Sequence, residues 1–301
     1  MKIAITGLGR MGMQISRKLS ENGHQVIAHN RSQGPIDEAV GYGATGVNTP
    51  EEVIKAFADE QLILWIMLPS NIMDATIGDW LKVIPKGSIL IDGGNSDFRL
   101  TQKRSKLVAD QGSTLIDCGT SGGVWGYQNG FSMMIGGDKT AVTAVEPVFK
   151  TLAAPEGAYQ HFGPSGSGHY VKMVHNAVEY GMMESLAEGY RMLKEGAYPD
   201  QIDLAAAANV WQHHSVVTSW LNELCQAALE ENPNLDGIEG FVAESGEARW
   251  TLEAAKDLGI PLPAIQTSFD VRLASQKGEV SFATKLLSAM RNKFGGHELN
   301  K

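Results

Sequence analysis

Cysteine pairs, long apolar runs and basic clusters are all scarce in this chain, and each shortage removes a class of function. Two cysteines, Cys118 and Cys225, in 301 residues are too few for a disulfide framework. Acidic residues outnumber basic ones, 34 Asp and Glu against 25 Lys and Arg, for a net charge of -9. That balance argues against a nucleic-acid surface, because phosphate backbones are held by clustered Lys and Arg. No apolar run reaches the ~20 residues of a membrane span, and the amino terminus enters an apolar strand without the charged and apolar segments of a cleaved leader. The cytosol is therefore the expected compartment. His213 and His214 are adjacent, so they diverge on a helix, and no Cys or carboxylate cluster accompanies them; no metal site is read.

What remains is an ordered globular composition, 43% hydrophobic and 20% charged with 11 prolines, in a chain long enough for two domains. Met1-Lys2-Ile3-Ala4-Ile5-Thr6 is a short apolar strand, followed at once by Gly7-Leu8-Gly9-Arg10-Met11-Gly12 and a helical pattern to about Asn22. This is GxGxxG in the setting it requires. The first glycine makes the tight turn, the second lets backbone approach a pyrophosphate, and the third lets the helix pack on the strand with its N-terminus facing the anion. The second strand, Gln25 to His29, ends in Asn30-Arg31-Ser32. An acid there would hold the ribose diol of NAD, whereas a cation suits the 2′-phosphate of NADP. Arg31 favours NADP, with NAD still open.

Further strands are expected at Gln61 to Leu68, Ser88 to Asp92, Thr114 to Cys118, Met133 to Ile135 and Tyr159 to Phe162, with a capped helix starting at Thr49-Pro50-Glu51-Glu52 and another near Thr140. Loops at the carboxyl ends of strands line the crevice of an open α/β sheet. Asn95, in Gly93-Gly94-Asn95-Ser96, is placed to reach nicotinamide or substrate. Gly119-Thr120-Ser121-Gly122-Gly123 offers successive N–H groups and a hydroxyl to a carboxylate. Gly163 to Gly168 reads as a linker. Beyond it only helices are expected, at Asp200 to Gln212, Val216 to Glu231, Gly246 to Leu258, Ala264 to Gln276 and Phe282 to Lys293.

The helix that follows the linker directly, ahead of these, carries the most specific pattern. Lys172, His175, Asn176, Glu179 and Tyr180 stand at i, i+3, i+4, i+7 and i+8, one stripe of a 3.6-residue helix, while Val171, Val174 and Val178 suggest a neighbouring core face. A lysine and a carboxyl two turns apart, roughly 10 Å along the axis, can bracket a small substrate. The fold expected is a Rossmann-type dinucleotide-binding domain over 1–164 followed by an all-helical domain over 165–301.

These segments together resemble the 6-phosphogluconate dehydrogenase family in its short form, within the β-hydroxyacid dehydrogenases. The resemblance rests on Ile91-Asp92-Gly93-Gly94-Asn95-Ser96, on Ser121-Gly122-Gly123, and above all on Lys172-Met173-Val174-His175-Asn176-Ala177-Val178-Glu179-Tyr180-Gly181. Arg272 falls where the family has a phosphate-binding arginine, and Arg291-Asn292-Lys293-Phe294-Gly295-Gly296-His297 looks like its RxxFGxH tail. Two departures stand out. A chain of 301 residues cannot contain the second helical block of the longer members. The family's KGTGxW stretch reads here Ser245-Gly246-Glu247-Ala248-Arg249-Trp250, without its phosphate-binding lysine, which leaves Arg249 as a substitute.

The resemblance implies oxidative decarboxylation of 6-phosphogluconate with NADP or NAD and without a metal. Lys172 would act as base and Glu179 as proton donor. Ser121, Gly122 and Gly123 would hold the carboxylate, Asn95, His175 and Asn176 the hydroxyls, and Tyr180, Arg272 and Arg291 the phosphate, with His297 nearby. It also implies a homodimer or homotetramer formed through the helical domain, the tail reaching the neighbouring subunit's site. Two alternatives are a relative acting on a small β-hydroxy acid such as 3-hydroxyisobutyrate, and a non-catalytic NADP-binding redox sensor.

Overall fold

The computed structural model describes residues 1–155 and 157–296, and they divide into two compact units, of which the second begins at Val174. In the first, β1 (Lys2–Thr6), β2 (Gln25–His29), β3 (Thr45–Val47), β4 (Ile63–Ile66), β5 (Ile89–Asp92), β6 (Thr114–Ser121), β7 (Ser132–Gly136) and β8 (Tyr159–Gly163) form one sheet in the order β3-β2-β1-β4-β5-β6-β7-β8. Every neighbouring pair is parallel except β6 with β7. The strand order reverses beside β1, which leaves a crevice outside the carboxyl ends of β1 and β4 where such sheets bind ligands.

Both faces of this sheet are covered, so its strands are nearly continuous apolar runs. On one face Ile3, Ile5, Val26, Ala28, Trp65 and Ile91 pack with Ile15 and Leu19 of α1 (Arg10–Glu21) and with Val145, Val148 and Phe149 of α7 (Lys139–Leu152). On the other, Ala4, Ile27, Leu64, Ile66 and Leu90 pack with α3 (Pro50–Phe57), α4 (Ser70–Trp80) and Val108 of α5 (Phe98–Asp110). The capping box expected at Thr49 is formed in both directions with Glu52. Between these elements lie α2 (Gln33–Gly41) and the short α6 (Gly126–Asn129).

Several elements of the first unit differ from expectation. β6 continues through Gly119 and Thr120 to Ser121, because β7 pairs antiparallel with it, Gly119 opposite Met134 and Ser121 opposite Ser132. The stretch read as a linker ends early, since α8 (Ser167–Glu195) already includes Ser167 and Gly168. The three-residue β3, Thr45-Gly46-Val47, is too short to show a period and was not anticipated.

The second unit contains, after the bulk of α8, the helices α9 (Leu204–Gln212), α10 (Trp220–Glu231), α11 (Glu247–Asp257), α12 (Pro263–Ser275) and α13 (Phe282–Gly295). No strand occurs there among the described residues. Helices α9 and α10 begin four residues later than expected, where side chains cap them: Asp203 accepts from the Ala206 N–H at 3.0 Å, and Ser219 from the Asn222 N–H at 3.1 Å. Met183, Ala187 and Tyr190 of α8 pack with Cys225, Leu229, Leu286, Leu287 and Met290 in its main core. The core face of α8 is therefore Ala177, Tyr180, Met183, Ala187 and Tyr190, not the valines; Val178 is 47% exposed.

Candidate active site

The glycine-rich turn has the packing that its three glycines imply. A Cβ on Gly7, whose φ is +93°, would lie 2.4 Å from the Met67 carbonyl oxygen, and one on Gly12 would lie 2.0 Å from that of Gly7. A Cβ on Gly9 would meet nothing within 4 Å. Gly9 is also the N-cap of α1 and brings no side chain to it, so that helix end presents backbone N–H groups and open space to an anion. The turn is tied to the end of β2, where the Leu8 N–H donates to Asn30 Oδ1 at 3.2 Å and Asn30 Nδ2 donates to the Ser32 carbonyl at 3.3 Å. Arg31 and Ser32 are exposed beside it. These residues fit a dinucleotide: an open approach at Gly9, close packing on either side, and a cation at the ribose end.

At the end of β5, Asn95 is exposed between buried neighbours. The loop under it is held by Asp92, which accepts from the Gly94 N–H at 3.1 Å and from Arg104 Nη1 at 3.2 Å. Arg104 Nη1 also donates to Ser96 Oγ at 2.8 Å. Burial pushes the Asp92 carboxyl up, against the pull of His169 and Arg104. Nothing in sequence spacing pointed to Arg104, which lies on the helix after the loop. At the end of β6, Ser121, Gly122 and Gly123 are half-buried, and the two glycines take φ of +133° and +52°, a backbone that side chains rarely adopt.

Lys172 is 5% exposed, and its Cβ lies where a Cβ on Gly119 would fall, 2.3 Å away. A side chain at 119 would displace it. Helix α8 then continues unbroken into the second unit. There His175 and Asn176 are half-buried and joined Nδ1 to Oδ1 at 3.0 Å, and Glu179 is half-buried.

Tyr180 is buried, with its hydroxyl accepting from the Ser245 N–H at 3.4 Å. The guanidinium carbon of Arg272 lies 3.2 Å from the centre of its ring. Arg272 is 2% and Arg291 8% exposed. Burial lowers the pKa of both, that of Arg272 down to about 10, while Tyr180 and Glu179 pull each back up. Among the described residues neither arginine forms an ion pair. Arg249, in the first turn of α11, has one, with Glu244 of the preceding segment at 2.6 Å. Arg291 is part of α13 and faces charges of its own unit, whereas His297 lies outside the described residues.

Glu184 was not singled out from the sequence. It is buried one turn beyond Tyr180, and burial, then repulsion by Glu188, raise its pKa to about 7 against the pull of Arg272. Its place at i+4 from Tyr180, one turn beyond the stripe, is the one signal the sequence offers.

A family model described as the NAD binding domain of 6-phosphogluconate dehydrogenase matches residues 2–165, and one described as the C-terminal domain of 6-phosphogluconate dehydrogenase matches residues 168–294. The chain is 38% identical over 301 residues to a putative 6-phosphogluconate dehydrogenase of Bacillus subtilis, with 100% of each chain covered. It is 36% identical over 301 residues to the NAD(+)-dependent, decarboxylating 6-phosphogluconate dehydrogenase of Haloferax volcanii, covering 99% of this chain and 98% of that one. A solved structure of Plasmodium falciparum 6-phosphogluconate dehydrogenase, described in its apo form and in complexes with its cofactor NADP+ and its substrate 6-phosphogluconate, is similar with a TM-score of 0.82. Its sequence identity is 27%, over 99% of this chain and 66% of that one.

Proposed function

Because the chain belongs to the 6-phosphogluconate dehydrogenase family and opens with that family's NAD-binding domain, we propose that it oxidises and decarboxylates 6-phospho-D-gluconate to D-ribulose 5-phosphate and CO2, reducing NADP or, in its place, NAD. What carries this assignment is the pair of buried arginines in the helical unit. Two guanidinium groups withdrawn from water beside a phenol, without an ion pair among the described residues, are costly unless an anion joins them. A phosphate monoester is such an anion, and the planar forks of the two guanidinium groups suit it. A small β-hydroxy acid without phosphate has no use for them, and a redox sensor has none for Lys172 and Glu179.

In this mechanism the Ser121 hydroxyl and the N–H groups of Gly122 and Gly123 hold the carboxylate, Asn95, His175 and Asn176 the hydroxyls, and Tyr180, Arg272 and Arg291 the phosphate. Lys172 takes the proton of the C3 hydroxyl as hydride leaves C3. A bound nicotinamide supplies the hydride acceptor. The protonated Lys172 then polarises the new C3 carbonyl, and the C1–C2 bond breaks to release CO2. Its electrons form a C2=C3 enediol as Lys172 returns its proton to the C3 oxygen; Glu179 then protonates the former C2, which becomes C1 of ribulose 5-phosphate, while Lys172 takes back the proton of the C3 hydroxyl. The glycine-rich turn, Leu8, Arg10 and Met11 hold the pyrophosphate end of the dinucleotide, and Asn30, Arg31 and Ser32 its 2′-phosphate. Val178, Met182 and Met192, exposed along one stripe of α8, support assembly into a homo-oligomer through the helical unit, and His297 belongs to a tail that would serve the neighbouring subunit. The test is spectrophotometric: 6-phosphogluconate with NADP gives reduced nicotinamide, while 3-hydroxyisobutyrate does not. The opposite preference would refute the assignment.

A further inference from the structure

The first turn of α8 is fastened from several sides within the first unit, and the polar fastening groups, Asp117, Thr101 and His169, are buried. Gly166, just before this helix, has no side chain to act as its N-cap. The missing acceptor comes instead from the sheet. Asp117 of β6, 0% exposed, accepts from the Gly166 N–H through Oδ1 at 2.7 Å and from the His169 N–H through Oδ2 at 2.9 Å. A carboxylate there satisfies two donors of the helix end and complements its positive dipole.

On the α5 side, Thr101 Oγ1 is 2.8 Å from His169 Nδ1, and Phe98 meets Tyr170 edge to face with ring centres 5.1 Å apart. Below, the backbone comes into contact: a Cβ on Gly168 would lie 2.4 Å from the Met134 carbonyl oxygen, and one on Gly136 would lie 2.7 Å from both oxygens of Asp117. Asp117, Gly119 and Ser121 alternate onto the same face of β6. One strand therefore anchors the helix at Asp117, admits the Lys172 stem at Gly119 and ends at Ser121.

We propose that Asp117 is a positioning residue for the reaction, holding the start of α8 against β6 so that the Lys172 amine stands at a fixed height relative to a substrate carboxylate bound at Ser121. This rests on the dehydrogenase assignment above. Asp117 touches neither substrate nor cofactor; it acts through the helix. In Asp117→Asn, one of the two N–H groups faces an amide donor instead of an acceptor, the first turn shifts, and the base is misplaced. A displacement of about 1 Å at a catalytic group costs on the order of 100-fold in rate.

The experiment compares wild type and Asp117→Asn with 6-phosphogluconate carrying hydrogen or deuterium at C3, and measures NADP affinity in parallel. The expected result is a kcat roughly 10- to 100-fold lower, a larger primary isotope effect on kcat because hydride transfer has become slower than product release, and unchanged NADP affinity. A loss of folded protein alone would lower kcat without moving the isotope effect. If Asp117→Asn does not fold, as judged by NADP binding, Thr101→Val removes the hydroxyl on the other side of the same turn at constant volume and is expected to behave alike. Wild-type kcat and isotope effect in either folded variant would overturn the inference. A wild-type protein inert towards 6-phosphogluconate would overturn the assignment beneath it, and the inference with it.

Discussion

Replacing Arg272 by methionine is expected to make the free protein more stable while crippling it. The guanidinium is 2% exposed, stacked 3.2 Å above the Tyr180 ring, with Nη2 3.5 Å from the Met183 sulfur. Burial lowers its pKa to about 10, and that value already includes the opposing pull of Tyr180, Glu179 and Glu184. The group is therefore still protonated at neutral pH, and the folded state bears the full cost of the buried charge. From an ordinary value of ~12.5 this amounts to about 3 kcal/mol. The sign is fixed: the penalty is complete below the depressed folded value and fades as pH rises from there towards the unfolded one.

Methionine matches the length of the side chain and suits a lining of Tyr180 and Met183. The expected gain is about 1 to 3 kcal/mol, at about 2 to 4 °C in Tm per kcal/mol. KM for the phosphorylated substrate should rise ~10- to 100-fold, from the loss of a charge-assisted bond worth about 1.5 to 3 kcal/mol. Thermal unfolding without ligand and steady-state kinetics measure both. A folded Arg272→Met protein less stable than wild type, or one with unchanged KM, would refute the reasoning.

Lys172→Ala should abolish turnover with NADP affinity intact, and Glu179→Gln should slow it strongly; near-normal kinetics in a folded Lys172→Ala protein would remove the base from the mechanism. Arg31→Ala should weaken NADP binding ~10- to 100-fold and leave NAD binding little changed, which equilibrium titration with both nucleotides checks. The carboxyl of Glu184 is raised to about 7, so it contributes stability below its unfolded value that is lost as pH rises through about 7. Unfolding by urea at a series of pH values should show a decline of up to about 3 kcal/mol, and Glu184→Gln should flatten it.

Much of this molecule can be read from one chain because its decisive signals are local. The turn at Gly7 to Gly12 needs three glycines within six residues, and the Thr49 box closes across three, so spacing alone reveals them. The stripe from Lys172 to Tyr180 is a helical period. What escaped is what packing decides. The valines of α8 have the right period for a core face, yet Ala177 and Tyr180 occupy it, since helix propensity and period do not say which of two stripes meets a neighbour. Gly119 belongs to a strand because β7 pairs with it from a distance. The hold of Asp117 on Gly166 and His169, and of Arg104 on Asp92, joins residues whose sequence separation carries no period. The buried arginines could be named only by resemblance; their lack of an ion pair among the described residues is a fact of the fold.

The central claim is that one site oxidises C3 and then expels C1 of 6-phosphogluconate. The most direct measurement uses substrate labelled at C1 and follows reduced nicotinamide and labelled CO2 together. Equal amounts of the two in the wild type, and neither in Lys172→Ala, are predicted. Reduced nicotinamide without labelled CO2 would contradict it.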